Sequence, residues 1–173
     1  PQTIPLNCGF SVSLNVGEAS STGFELELWS EPVDGLDLQL AIGYVDAQLE
    51  RDAPDVGGEK GDRLQQVPEW TVAASGQYTF PIRGEYEGFV RGDYSYVGDS
   101  YTTFAFDNPD DRRPDYQIAD FQIGVMAETW EGALYIENAF DEVAILGINP
   151  TDVYEWTVNR PRTIGFRVRK SWN

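Results

Sequence analysis

The fold is decided by the stretch WTVAASGQYTF, which runs from Trp70 to Phe80. Its even-numbered positions carry the large apolar side chains, and its odd-numbered positions are small or polar. A period of two places alternate side chains on opposite faces of a β-strand. This stretch is therefore predicted to be a strand with one apolar and one polar face.

The same alternation recurs along the chain and predicts about eight antiparallel strands. Within them, Phe89 interrupts a polar side. We expect the even-numbered residues of 36–44 and 70–80 to share one outward, lipid-facing surface, with Leu38 and Gln39 on opposite sides. The predicted strands lie near residues 10–16, 24–28, 36–44, 70–80, 86–96, 119–127, 134–136 and 165–172.

The connections between these strands alternate in length. Short turns are predicted at Pro32, Arg83 and Thr129, and long connections at 48–69, 98–115 and 139–159. A tight first hairpin at 17–21 is the exception. Short turns at one end and long loops at the other are typical of outer-membrane β-barrels, as are aromatic side chains near strand ends. Such aromatic side chains are Trp70, Tyr78, Phe80, Tyr86 and Trp172.

Composition excludes several classes of function. The formal net charge is −17, which argues against binding to nucleic acid. There is no histidine, so Ser-His-Asp and Cys-His catalysis and histidine zinc sites are excluded. The single cysteine, Cys8, is interpreted as a small apolar filler. The aspartate-rich loops lack the ordered ligand spacing of a calcium site, and we expect neither a cofactor nor a resident metal.

The residues leave more than one β architecture open. No stretch approaches the ~20 apolar residues of a membrane helix. A soluble lipocalin-like barrel or β-sandwich also alternates, and remains an alternative. The start of the chain shows no secretory signal, and the chain is interpreted as an internal or mature fragment.

Several short motifs occur in order along the chain. Residues 15–19 and 23–27 look like a late barrel hairpin, and 35–36 with 43–47 look like the following strand. Leu64 with 67–68 is similar to the re-entry from an outer loop. Residues 138–141, Asn-Ala-Phe-Asp, resemble an Asn-Leu-Phe-Asp signature, and 160–165 lead into a strand similar to a C-terminal targeting strand. Taken together, these motifs resemble the barrel of TonB-dependent outer-membrane receptors.

The resemblance implies that residues 1–173 are one segment, the C-terminal part of a larger barrel, open or partly closed. The plug domain, the other strands and the N-terminal part that contacts TonB would lie outside it. The implied function is active uptake of a bulky ligand across the outer membrane. A ferric siderophore is the leading candidate, and vitamin B12 or an oligosaccharide is an alternative. No enzymatic activity is implied. A passive or structural outer-membrane barrel remains the second hypothesis.

One predicted loop combines aromatic side chains with cations. Arginine suits carboxylate or catecholate oxygens, and receptors of the resembled family recognise ligands with such residues. The candidate ligand-binding residues are Tyr101, Phe104, Phe106, Arg112 and Arg113.

The remaining expectations concern the whole sheet. The polar faces would line a wide lumen that carries more acids than bases. An even number of strands would bring both ends of the chain together, opposite the long connections. Because the first and last strands would lack their neighbours, we expect an open, curved sheet rather than a closed barrel.

Overall fold

The computed structural model describes residues 2–5, 11–14, 18–104, 108–150 and 154–172. Cys8, Phe10 and Phe106 therefore lie outside the described residues. No described helix is long and apolar enough to cross a membrane. The described strands are β1 (Gln2–Pro5), β2 (Ser11–Leu14), β3 (Ala19–Ser30), β4 (Leu36–Leu49), β5 (Trp70–Arg83), β6 (Tyr86–Val97), β7 (Ser100–Tyr101), β8 (Arg112–Arg113), β9 (Tyr116–Ala127), β10 (Trp130–Glu137), β11 (Ile145–Pro150), β12 (Tyr154–Val158) and β13 (Thr163–Lys170). Two 3-10 turns, Pro54–Val56 and Pro109–Asp111, complete the elements.

Seven strands form one antiparallel sheet in the order β13-β10-β9-β6-β5-β4-β3. Each long strand pairs with the preceding long strand, so the sheet is an up-and-down meander. The other strands form three two-stranded pairs, β1 with β2, β7 with β8 and β11 with β12. The predicted all-β, antiparallel class is confirmed. Within the described residues, β3 and β13 each have one neighbour, so the predicted open sheet is also confirmed.

The register collects the apolar side chains on one side of the sheet, here called the apolar face. Leu38 pairs with Gly76, Val90 with Ile123, and Leu134 with Phe166. Because neighbours in a strand point to opposite sides, Leu38 and Gln39 lie on opposite faces, as predicted. The apolar face includes Phe24, Leu26, Leu28, Leu38, Ile42, Tyr44, Trp70, Val72, Tyr78, Phe80, Val90, Tyr94, Phe121, Ile123, Leu134, Ile164, Phe166 and Val168.

The opposite side, here called the polar face, carries the charges of the sheet. Its members include Glu25, Glu27, Gln39, Ser75, Gln77, Arg91, Asp93, Asp120, Gln122, Glu131, Arg167 and Arg169. Arg91 donates from Nε to Asp93 at 2.8 Å, and Arg167 donates to Gln122 at 3.0 Å. Acids outnumber bases on this face, as the sequence predicts.

No large side chain in the described residues is fully buried, so the sheet has no second layer packed on either side. On the apolar face, Ile164, Phe166 and Val168 are 75%, 76% and 70% exposed. An apolar surface that crosses seven strands is far larger than the patches that water-soluble monomers expose. This face therefore needs an apolar environment, which argues against the soluble alternative.

Aromatic rings mark both ends of the apolar face. At the end of the long connections, Tyr44 lies 5.7 Å from Phe24 and 4.7 Å from Trp70 between ring centroids. At the end of the short turns, Tyr78 lies 5.8 Å from Phe80. Ten residues separate Trp70 from Phe80, or about 33 Å along a strand. With the ~40° tilt of barrel strands this becomes about 25 Å, the height of an outer-membrane apolar band.

The prediction that residues 10–16 form the first strand of this sheet was wrong. Its described part, β2, pairs with β1 in a separate hairpin. β3 begins at Ala19 rather than after a tight turn at 17–21, and Ala19 pairs with Leu49. The serines at 20 and 21 resemble a turn, but they are tolerated in a strand whose neighbour completes the hydrogen bonds.

The prediction that both ends of the chain meet opposite the long connections rested on an even number of strands, and that number was wrong. The sheet has seven strands, and an odd number places its first and last ends on opposite sides. Glu18 lies at the end of the long connections, where its carbonyl accepts the Glu50 N–H at 2.8 Å. The last residues of β13 lie at the other end, where Lys170 pairs with Trp130.

The packing of Phe89 explains why an apolar side chain interrupts the polar face of β6. It is 5% exposed and pairs with Gly124, so its ring lies over the space where a side chain is missing. A Cβ on Gly124 would lie 2.5 Å from the nearest atom of the Phe89 ring and 2.6 Å from the Gly132 carbonyl oxygen. The aromatic side chain on the polar face thus covers a glycine of the neighbouring strand.

We predict that Gly124→Ala destabilises the sheet by about 1–3 kcal/mol because it overpacks this contact. The control is Gly92→Ala, whose Cβ would meet ordinary contacts of 3.5 Å to the Phe121 ring. The folded fraction of each variant is measured by its heat-modifiable migration in gels after refolding into detergent. Equal folded fractions for the two variants would contradict this role of Gly124.

Candidate functional site

The three long connections lie together at one end of the sheet. We call residues 50–69 loop A, 98–115 loop B and 138–162 loop C. Loop B contains β7 and β8, and loop C contains β11 and β12. The predicted grouping of the long connections is confirmed by hydrogen bonds that join loop A to loop B and loop B to loop C.

Loops A and B share a small apolar core. Phe104 of loop B is 6% exposed and packs with Leu49 and Ala53. Val56 and Leu64 are partly buried against the same cluster. The Gln66 N–H of loop A also donates to the Tyr101 carbonyl of loop B at 2.7 Å. Loops A and B are thus folded together.

Arg63 is the polar counterpart of that core. Its guanidinium donates to the Asp99 carbonyl at 3.0 Å and lies 3.2 Å from the Glu69 carboxylate. It also lies 5.8 Å from the centre of the Tyr101 ring, and its side chain is 25% exposed. The fork of an arginine can serve several acceptors at once, so this one residue joins three points of loops A and B. Sequence reasoning missed it because nothing in the sequence distinguishes Arg63 from Arg51 and Lys60 of the same loop.

Arg113 joins loop B to loop C. Its Nε donates to the Ser100 hydroxyl and its Nη1 to the Leu146 carbonyl, both at 2.9 Å. Leu146 belongs to β11, so the guanidinium bridges the two small hairpins. All three loops are therefore connected into one cap by arginine contacts and one apolar core.

The structure brings together three of the five predicted ligand-binding residues. Tyr101 pairs with Arg112 across β7 and β8, and Arg113 follows in β8. Arg112 contacts Asp99 through Nε at 3.3 Å, and its side chain is 49% exposed. Phe104 lies instead in the loop core, and Phe106 lies outside the described residues.

Asp111 carries the most deeply buried carboxylate among the described residues. It is 3% exposed and accepts hydrogen bonds from Thr103 Oγ1 at 2.9 Å and Asn108 Nδ2 at 3.1 Å. Its other oxygen, Oδ1, has no hydrogen-bond partner, and neither has the hydroxyl of Thr102, which directly follows β7. Among the described residues no three His, Cys, Asp or Glu side chains are grouped closely enough to hold a metal ion.

The polar face contains a cleft of about 420 Å³ in the middle of the sheet. Glu27, Gln39, Arg91, Asp93 and Asp120 line it. Arg91 pairs with Asp93, and both side chains are partly accessible, which suits a wet lumen rather than a protein core.

An open antiparallel sheet with a continuous exposed apolar face, two aromatic bands and a polar cap at one end defines a segment of a membrane β-barrel. The chain belongs to the family described as "TonB dependent receptor-like, beta-barrel", whose model matches residues 1–139. This family consists of outer-membrane receptors and transporters rather than enzymes.

Solved structures share the fold. The ferric yersiniabactin uptake receptor FyuA from Yersinia pestis aligns over 92% of this chain and 24% of its own, with 23% identity and a TM-score of 0.79. BauA, the ferric preacinetobactin receptor from Acinetobacter baumannii, aligns over 98% and 25%, with 14% identity and a TM-score of 0.73. The ferric-catecholate import receptor Fiu from E. coli K12 aligns over 96% and 22%, with 18% identity and a TM-score of 0.69. The chain thus spans about a quarter of the length of these receptors.

We predict that Arg63→Ala uncouples loop A from loop B, because it removes a half-buried guanidinium shared by Glu69, Asp99 and Tyr101. The Gln66 amide should then exchange with deuterium about 10-fold faster, as expected for the loss of one charged hydrogen bond. Arg51→Ala is the control, since Arg51 and its partner Glu18 are 71% and 63% exposed. Unchanged exchange at Gln66 in Arg63→Ala would contradict the coupling.

Proposed function

We propose that this chain is the C-terminal part of an outer-membrane receptor that takes up a ferric siderophore with energy delivered through TonB. The observation that carries the proposal is the exposed apolar face across seven strands, together with the family match over residues 1–139. The plug domain, the remaining strands and the segment that contacts TonB would be supplied by the rest of the receptor.

Location in the bacterial outer membrane is supported by the physics of the sheet. Two aromatic bands separated by about 25 Å match the interfaces of an outer-membrane barrel. The charged polar face would be costly in lipid, by about 2–4 kcal/mol for each arginine near the midplane, so it belongs on the lumen side. The cap would then face outward, where a ligand first arrives.

The chemistry of the cap supports an anionic ligand with oxygen donors. The contact of Arg112 with Asp99 is half exposed, and its guanidinium has further N–H groups to offer. Such donors suit the carboxylate or catecholate oxygens of a siderophore. We place Tyr101, Arg112 and Arg113 at the ligand-binding surface, with Phe104 holding the loop beneath them; Phe106 remains a candidate from the sequence.

Uptake is tested with the full-length protein in a Gram-negative host that lacks its own siderophore receptors. We expect iron to accumulate from one of ferric yersiniabactin, ferric preacinetobactin or a ferric catecholate, and TonB deletion to abolish the accumulation. Arg112→Ala should weaken binding about 10-fold or more, as for a lost charged hydrogen bond. Arg83→Ala, at the opposite end of the sheet, should bind normally.

Two outcomes would contradict the proposal. Accumulation that persists without TonB would indicate a passive barrel. Accumulation of vitamin B12 or an oligosaccharide, with none of the three ferric complexes taken up, would replace the siderophore by that ligand.

A further inference from the structure

Asn138 begins loop C in a conformation that few residues adopt. Its φ angle is +50°, in the left-handed region, and the residue is 4% exposed. Asparagine tolerates this region better than most residues, but a buried polar side chain there must find partners. The hydrogen-bond partners of Asn138 show which segments this turn holds together.

The Asn138 side chain ties together both legs of loop C. Its Nδ2 donates to the carbonyls of Glu142 at 2.8 Å and Arg160 at 3.0 Å, and its Oδ1 accepts the Glu142 N–H at 2.9 Å. Glu142 lies on the outgoing leg and Arg160 on the returning leg. A second asparagine, Asn159, donates to the same Glu142 carbonyl at 3.0 Å.

Backbone hydrogen bonds around Asn138 connect this side-chain network to the sheet. The Asn138 N–H donates to the Asp120 carboxylate of β9 at 2.7 Å, and the Ala139 N–H donates to the Ala119 carbonyl at 2.8 Å. Asp120 also lines the polar-face cleft. Asp141 closes the base of the loop, because its carboxylate accepts the Arg162 N–H at 2.8 Å.

We propose that Asn138 is the positioning residue of loop C, and that Asp120 anchors it to the polar face of the sheet. Together they form a latch that holds loop C at the end of the sheet where the long connections lie. The Asn-Ala-Phe-Asp motif at 138–141 thus fixes the position of loop C. Asn138 and Asp141 form hydrogen bonds with its outgoing and returning segments, and Ala139 extends the pairing with β9.

The latch is relevant to ligand binding because loop C exposes apolar side chains. Val143, Leu146 and Trp156 are exposed apolar side chains at 71%, 41% and 56%, and Arg113 of loop B binds the Leu146 carbonyl. A fixed loop C keeps this apolar surface beside the cations of loop B, where a ligand with aromatic and anionic parts would touch both. This last step rests on the proposed function, whereas the latch itself does not.

The test uses the full-length protein in detergent, with Cys8→Ser and a spin label at Val143→Cys. Asn138→Asp keeps the size and the acceptor but turns a donor toward two carbonyls into a second acceptor. At pH 7.5 the mobile fraction of the label should rise about 10-fold, the effect of an unpaired buried charge. Asn138→Gly tolerates the positive φ but loses all three side-chain bonds, and it should also raise mobility.

The pH dependence of label mobility distinguishes loss of the Asn138 hydrogen bonds from a general destabilisation of the protein. The introduced carboxyl is buried against carbonyls, so its pKa should be raised and its protonated form can again donate a hydrogen bond. The latch should therefore recover as the pH falls to 5. Asp120, Asp141, Glu142 and Arg160 surround the site in the unsubstituted protein and in both Asn138 variants, so the unsubstituted protein serves as the pH reference.

Asn149→Asp, an exposed position of the same loop, is the charge-matched control and should leave mobility unchanged. Asp120→Ala should also loosen the loop, although it lies outside it. Binding of the ferric complex that the protein takes up should weaken in Asn138→Asp at pH 7.5. If no ferric complex binds to any variant, the proposed ligand is wrong while the mobility result still decides on the latch.

Wild-type mobility in both Asn138→Asp and Asn138→Gly, or raised mobility in Asn138→Asp that does not fall with pH, would overturn the latch.

Discussion

Every backbone N–H and C=O group of a strand in lipid must find a partner within the protein, because hydrocarbon offers none. The seven-stranded sheet meets this condition at its five inner strands, which pair on both sides. At β3 and β13 the outer row of backbone groups has no partner strand among the described residues. The rest of the architecture follows from this constraint, since a barrel closed by further strands removes both edges. The chain spans about a quarter of the receptors it resembles, which leaves room for those strands.

The same sheet has two faces of opposite polarity, and the cap lies at one of its ends. With an apolar face for lipid and a charged face for the lumen, neither surface of the sheet contains a conventional core. Among the described residues, a buried apolar cluster lies beside the loops around Phe104, and Arg63 and Asn138 fix loop segments through side-chain hydrogen bonds. A cap assembled from side-chain contacts can vary in sequence without disturbing the barrel, which is why loops carry specificity in such folds.

The fold was predictable from alternation because lipid and lumen impose opposite polarities on successive residues. The stretch from Trp70 to Phe80 shows that rule in its simplest form, and the faces follow the register it implies. Prediction failed where a contact from elsewhere in the chain decides the outcome. The serines at 20 and 21 become a strand because β4 pairs with them, and Phe104 is buried because loop A supplies its pocket. Arg63 and the role of Asn138 were beyond sequence reasoning for the same reason: their partners lie up to 38 residues away or on another loop.

The central claim is that the apolar face contacts lipid while the polar face contacts the lumen. The most direct measurement places spin labels, one at a time, at Leu38, Gln39 and Leu40 of the full-length protein in bilayers, with Cys8→Ser as background. Collisions with oxygen, which concentrates in lipid, are compared with collisions with a water-soluble nickel chelate. The account predicts high oxygen access at 38 and 40 and low oxygen access at 39. Greater oxygen access at 39 than at its two neighbours, or equal chelate access at all three positions, would contradict it.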